Sequence, residues 1–167
     1  DLDGRLSKTY TTTAVPQYNI KGELTNRTDL TLQANYDYYL HGPLKRVEYP
    51  KAKQGIDYAY TADGALKAIN DAVQANDPGK DGQVNSSFGL DVFGMTLDYY
   101  SGDYLANGFT PSSSTYPTGT IDHFTGLIKG NHWHSPVGSH AKEGYAYRYD
   151  ERNQMQDARW TKSIANV

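Results

Sequence analysis

Gly144-Tyr145-Ala146-Tyr147-Arg148-Tyr149-Asp150-Glu151-Arg152-Asn153-Gln154-Met155, running on to Trp160, is the stretch whose reading decides the fold class. Tyr145, Tyr147 and Tyr149 alternate with Ala146 and Arg148. Period-two geometry puts the three rings on one face of a strand, and aromatic residues favour pleated surfaces. Residues 150–153 supply a turn, with Asn153 the residue most able to take a left-handed conformation. Met155 begins the return strand.

The same phrase recurs upstream. Tyr18 is followed by Gly22 and Leu24, Tyr38 by Gly42 and Leu44, Tyr60 by Gly64 and Leu66, and Tyr149 by Asn153 and Met155. Tyr36, Tyr58 and Tyr147 stand two places earlier in three of these copies, and Asp3-Gly4-Arg5-Leu6 reads as a fifth tail. Glycines at 4, 22, 42 and 64 give a period of about 20 residues, in the range of stacked structural units.

These spacings carry a resemblance. Tyr-Asp followed by a turn glycine and a leucine is similar to the YD repeats of the RHS family, large bacterial proteins that share this repeat type with the teneurins of animals. Residues 38–47, Gln54-Gly55-Ile56-Asp57-Tyr58-Ala59-Tyr60, Asn76-Asp77-Pro78-Gly79-Lys80-Asp81-Gly82 and the run from Asp91 to Tyr104 resemble RHS proteins of the Bacteroidetes type. Phe124-Thr125-Gly126-Leu127-Ile128 looks like a degenerate Tyr-Asn-Gly-Asn-Ile phrase of that family. The resemblance implies an all-β fold of stacked antiparallel hairpins forming part of a spiralling, hollow β-shell. Asp77-Pro78-Gly79 is only superficially like part of the family's self-cleaving motif, whose remainder is absent, so proteolysis is not carried over.

Composition sets bounds. Leu, Ile, Val and Phe together number 29 of 167 residues, under the roughly 20% at which disorder becomes a live reading when net charge is also high. Net charge is only -3, and 15 tyrosines add ring area, so an ordered, tyrosine-packed β structure is expected. With 16 basic against 19 acidic residues there is no basic footprint for nucleic acid. No apolar run is long enough to span a bilayer as a helix. Zero cysteine excludes disulfides and thiol chemistry and is compatible with a secreted protein. Asp1 falls in mid-repeat, so the chain reads as an excerpt of a longer one.

Taken in order, residues 1–70 read as repeats whose hairpins turn near Gly4, Gly22, Gly42 and Gly64. A threonine-rich strand covers residues 9–15, and a long half-buried strand covers residues 29–40. Asp63-Gly64 is the strongest local hairpin cue. Residues 65–75 suit a short helix by propensity, whereas the family resemblance favours a strand. Residues 71–87 read as an exposed loop, 88–105 as strands, 106–120 as an insertion loop rich in Gly, Pro, Ser and Thr, 121–134 as a strand pair, 135–143 as a loop and 144–167 as a further repeat.

Candidate chemistry is sparse. His132 and His134 share a strand face, and His140 or His123 from elsewhere would complete a zinc set. No cysteine joins them and the spacing matches no standard zinc pattern, so loop and strand histidines are the plainer reading. Asp77, Lys80 and Asp81 suggest calcium, since acidic turns supply oxygen ligands, but the loop lacks the alternation of an EF-hand. Ser112, Ser113 and Ser114 lack the elbow of a hydrolase nucleophile. The expectation is therefore a non-enzymatic protein without a cofactor.

Tyr18, Gly22, Leu24, Tyr36, Tyr38, Gly42, Leu44, Tyr58, Tyr60, Gly64, Leu66, Tyr147, Tyr149, Asn153 and Met155 are expected as structural repeat positions. By resemblance, the segment builds a secreted or cell-surface shell with further repeats of the same chain around an enclosed toxin or other cargo domain. The alternative is a repeat module of a secreted adhesin that binds carbohydrate or cell-surface glycans through tyrosine rings. Neither reading calls for nucleic acid or a membrane span.

Overall fold

The computed structural model describes residues 3–25, 29–104, 116, 119–135 and 142–162. They form an all-β antiparallel meander of β1 (Lys8–Thr11), β2 (Thr31–Tyr38), β3 (Leu44–Glu48), β4 (Gly55–Tyr60), β5 (Leu66–Ile69), β6 (Gly94–Asp98), β7 (Gly130–His134), β8 (Glu143–Tyr149) and β9 (Met155–Lys162). Each strand pairs only with its neighbours in sequence, so β1 and β9 are the two edges of one open sheet among the described residues.

Four turns share one geometry. Tyr38 pairs with Leu44, Tyr60 with Leu66 and Tyr149 with Met155, while Tyr18 meets Leu24 in an isolated bridge. The residue after each tyrosine, Asn19, Tyr39, Thr61 or Asp150, donates its N–H to the carbonyl four residues on at 2.8–2.9 Å, and accepts one from Gly22, Gly42, Gly64 or Asn153. Those four residues are left-handed, with φ of 77°, 117°, 89° and 63°. Such a turn needs one residue at positive φ, which Gly and Asn tolerate best. Side chains reinforce it: Asn19 Oδ1 accepts from Lys21 and Glu23 N–H, Thr61 Oγ1 from Ala65 N–H, and Asp150 Oδ1 from Arg152 and Gln154 N–H.

A register shift follows three of these turns and leaves Lys45, Lys67 and Gln156 as extra residues. Such a bulge re-aims a side chain. At Lys67 it turns the ammonium onto the same sheet face as Ala68.

The two faces of the sheet are unlike. Gly55, Asp57, Ala59, Lys67, Ala68, Gly94, Thr96, Asp98, Gly130, His132, Gly144 and Ala146 are buried. The alternating Ile56, Tyr58, Tyr60, Ile69, Met95, Leu97, Trp133 and Tyr147 are half-buried. The fully covered face is thus polar and small, and the apolar, aromatic face is partly open. Loops make the cover. A Cβ on Gly94 would collide with the Asp71 carbonyl, and one on Gly130 with the Tyr116 ring, so these glycines let the loops lie on the sheet. Tyrosine hydroxyls tie rings to main-chain carbonyls: Tyr38 to Leu6, Tyr39 to Tyr58, Tyr99 to Leu66 and Tyr149 to Ile128, all at 2.8–2.9 Å.

Residues 65–75 hold strand β5, the alternative expected over the helix that propensity allows, because Leu66–Ile69 complete the hairpin with β4. Several other sequence expectations are corrected. Of 88–104 only β6 is strand, and of 121–134 only β7, since left-handed Gly126 turns the chain before it reaches the ladder. The first strand spans four residues where seven were expected. The 71–87 loop is not exposed throughout: Asp71, Ala72, Asp77 and Asp81 are buried. The expected loops at 106–120 and 135–143 fall largely outside the described residues.

Gly64 has open space around its missing Cβ, so its substitution isolates the conformational cost. Gly64→Ala is expected to lower unfolding free energy in urea by about 1–2 kcal/mol, whereas Asn153→Gly is expected to leave it unchanged or slightly raised. Equal effects of the two substitutions would contradict the shared turn geometry.

Candidate functional site

Arg46 on β3 lies opposite Asp57 on β4, and its guanidinium is the hub of a buried charge cluster. Nη1 bonds Asp57, Nη2 bonds both carboxylate oxygens of Asp81 at 2.9 and 3.1 Å, and Nε bonds Glu48 at 3.0 Å. The Phe88 ring lies 4.7 Å from its Cζ, adding a cation–π contact. Gly55 and Gly79 flank the guanidinium so closely that a Cβ on either would overlap it.

The 71–93 loop supplies the rest. Asp81 donates its N–H to Asp77 Oδ2 at 2.9 Å, and Asp91 accepts from Gln54 at 2.7 Å and from Gln74 at 3.4 Å. Asn70, left-handed at φ 49°, seats the loop where it leaves β5: its Oδ1 accepts from Asp57 N–H and its Nδ2 donates to the Phe93 carbonyl. One oxygen from each of Asp57, Asp77 and Asp81 lies within 4.8 Å of the others. Hard oxygen donors set this close can hold a divalent cation.

The electrostatics follow from burial. Desolvation raises the Asp57 pKa to about 7, with Arg46 pulling it back down and the charges of Asp77 and Asp81 adding to the rise. Burial likewise raises Asp77 and Asp91, each pressed by neighbouring carboxylates. Burial opposes the charge on Arg46, but the Asp81 hydrogen bond and the Asp57 and Asp81 charges hold it protonated.

A second network lies further along the same face. Lys67 bridges Asp98 at 2.6 Å and Asp103 at 2.8 Å, and the Tyr116 hydroxyl donates to Asp98 at 2.6 Å. His132 is wholly buried with Nδ1 3.6 Å from Asp98. Lys142 is buried too, its Nζ without a hydrogen-bond partner and its pKa lowered by burial.

The histidines flagged in the sequence are spread out. His132 and His134 both lie on β7, His123 stacks edge-on against Tyr149 at 4.9 Å, and His140 is outside the described residues. Among the described residues, the group of three donors close enough for one metal is the aspartate set, not a histidine set. Lys80, expected beside the calcium ligands, is exposed. Of the repeat positions, Tyr36, Tyr38, Tyr58, Tyr60, Tyr147 and Tyr149 are half-buried, and Tyr18 and Met155 are exposed.

Sequence reasoning missed Arg46, Asp57 and Asp91. The available signal was an Asp at an inward position between Ile56 and Tyr58, with Arg46 at the matching position of the preceding strand.

Fold and site together define an open antiparallel meander with a charged, loop-covered face. No family model matches the chain, and no curated protein matches it.

Asp57 titrates near 7 in the folded protein and near 3.9 unfolded, so between these values the folded state binds the extra proton. Stability then falls as pH rises through that window. With chelator present, the urea midpoint is expected to be higher at pH 5.5 than at pH 8, with a shallower slope in Asp91→Asn. A midpoint that climbs over this range would contradict the assignment.

Proposed function

We propose that this chain is a structural segment of an RHS-repeat shell that encloses or displays a variable C-terminal cargo or toxin domain. The observation that carries the reading is the meander with its recurrent turn: every strand pairs with its sequence neighbours, and the Tyr, Gly or Asn, and Leu or Met positions return in the same register. A two-stranded hairpin is marginal alone, and pairing edge to edge supplies what each lacks. Open edges at β1 and β9 suit continuation by further repeats of the same chain. The mechanism is exclusion, a hydrogen-bonded wall that keeps cargo from its surroundings at a bacterial surface or after secretion. No catalytic role is assigned to the buried carboxylates, whose positions are taken up by contacts with Arg46 and the loop.

A second reading, a glycan-binding repeat module, is favoured by one specific feature. Trp133 and Tyr145 rings lie 5.8 Å apart, Tyr145 and Tyr147 stack at 6.3 Å, and Trp160 pairs in register with Tyr145. Tyr145 is 36% exposed and Trp160 52%, so the row presents flat faces with polar tips that suit a sugar.

The test is limited proteolysis and mass measurement on the native gene product. A C-terminal fragment that stays protected with the repeat region is the expected result. A repeat region without trapped cargo that binds glycans, and loses them in Trp160→Ala, would replace the shell reading with the adhesin one.

A further inference from the structure

The buried carboxylates outnumber the cations that face them. Asp57, Asp77, Asp81 and Asp91 are each 3% exposed or less, and the guanidinium of Arg46 is already committed to Asp57, Asp81 and Glu48. Lys80, which sits between Asp77 and Asp81 in the chain, is exposed. With these groups ionised, four carboxylates against one guanidinium leave three uncompensated negative charges away from water, an arrangement that burial strongly disfavours.

A separate observation locates the deficit. Asp77 Oδ1 is buried and receives no hydrogen bond, whereas Oδ2 of the same carboxylate is taken by the Asp81 N–H. Asp77 also lies within hydrogen-bonding reach of Asp91, so with both groups ionised it faces another acceptor there and not a donor. A buried acceptor without a donor loses its hydration without replacement, and a cation supplies what is missing.

We propose that Asp57, Asp77 and Asp81, with Asp91 beside them, form a calcium-type cation site that fastens the 71–93 loop to strand β4. The donor set is all carboxylate oxygen and contains no nitrogen or sulfur, which selects a hard cation. Two of the three aspartates come from an irregular loop and one from a strand. Such a mixed set fits the adaptable coordination of calcium better than the strict octahedron magnesium demands. Arg46 stays in place between Asp57 and Asp81, and the cation takes up the Asp77 side of the cluster. The site stands apart from the wall-building role proposed above and holds whether the segment encloses cargo or binds glycans.

The experiment is calcium titration of the chelator-treated chain, followed by calorimetry and thermal unfolding, with magnesium as the comparison ion. The expected result is one calcium bound per chain and a Tm raised by about 5–10 °C at a hundredfold excess over Kd, with a smaller rise in magnesium. Asp77→Asn keeps the acceptor for the Asp81 N–H and nearly the same volume. It is expected to weaken calcium at least tenfold while melting no lower than the parent in chelator, which separates lost binding from lost folding. A parent chain whose heat signal and Tm ignore millimolar calcium would overturn the proposal, as would an Asp77→Asn chain that responds as the parent does.

Discussion

The contact of the Arg46 guanidinium with Asp57 and Asp81 is the interaction on which the arrangement of this sheet depends. Asp57 is a strand residue, and Asp81 belongs to a loop 35 positions beyond Arg46 in the chain. One planar group with donors on three sides joins them, and no other residue type offers that fork. Burying such charges is costly, and their attraction offsets the cost only when the remaining lone pairs are also used. Here Gln54, Gln74 and the Asp81 N–H use several of them, and the orphan oxygen of Asp77 marks where the accounting fails to close.

Lys67 repeats the solution two strands along, on β5. The bulge after the Tyr60 turn turns its ammonium inward, where Asp98 and Asp103 hold it. Each of these two cations therefore ties a carboxylate of the ladder, Asp57 or Asp98, to one from an irregular segment, Asp81 or Asp103, and small residues at Gly55, Gly94 and Gly130 leave room for the covering segments to settle. The aromatic face is left half open. That division of labour gives the sheet one side closed by its own loops and another with rings available to something else.

The fold class was legible because its signals are local. A tyrosine, a turn residue able to take positive φ four places on and an apolar residue two beyond that specify a hairpin within seven residues, and four such hairpins imply a meander. Strands β6 and β7 were overextended because Gly126 and the approach to Gly130 lack that phrase. The charged cluster was largely illegible, since Arg46, Asp57 and Asp81 become neighbours only through strand pairing and loop closure. Alternation in Gly55–Tyr60 marks two faces but not which one is covered, and the covered face is the one that carries Asp57. The calcium reading of Asp77 and Asp81 found two members of the cluster from turn chemistry and could not find the third.

Hydrogen exchange on an Arg46→Lys chain tests this account most directly. Lysine keeps the charge but cannot bridge Asp57 and Asp81 as a fork does. The expected result is faster exchange at the Lys80, Asp81 and Gly82 amides and through the 71–93 loop, with the β8 and β9 amides as protected as in the parent. Unchanged protection across the loop would contradict the claim that Arg46 holds it to the sheet.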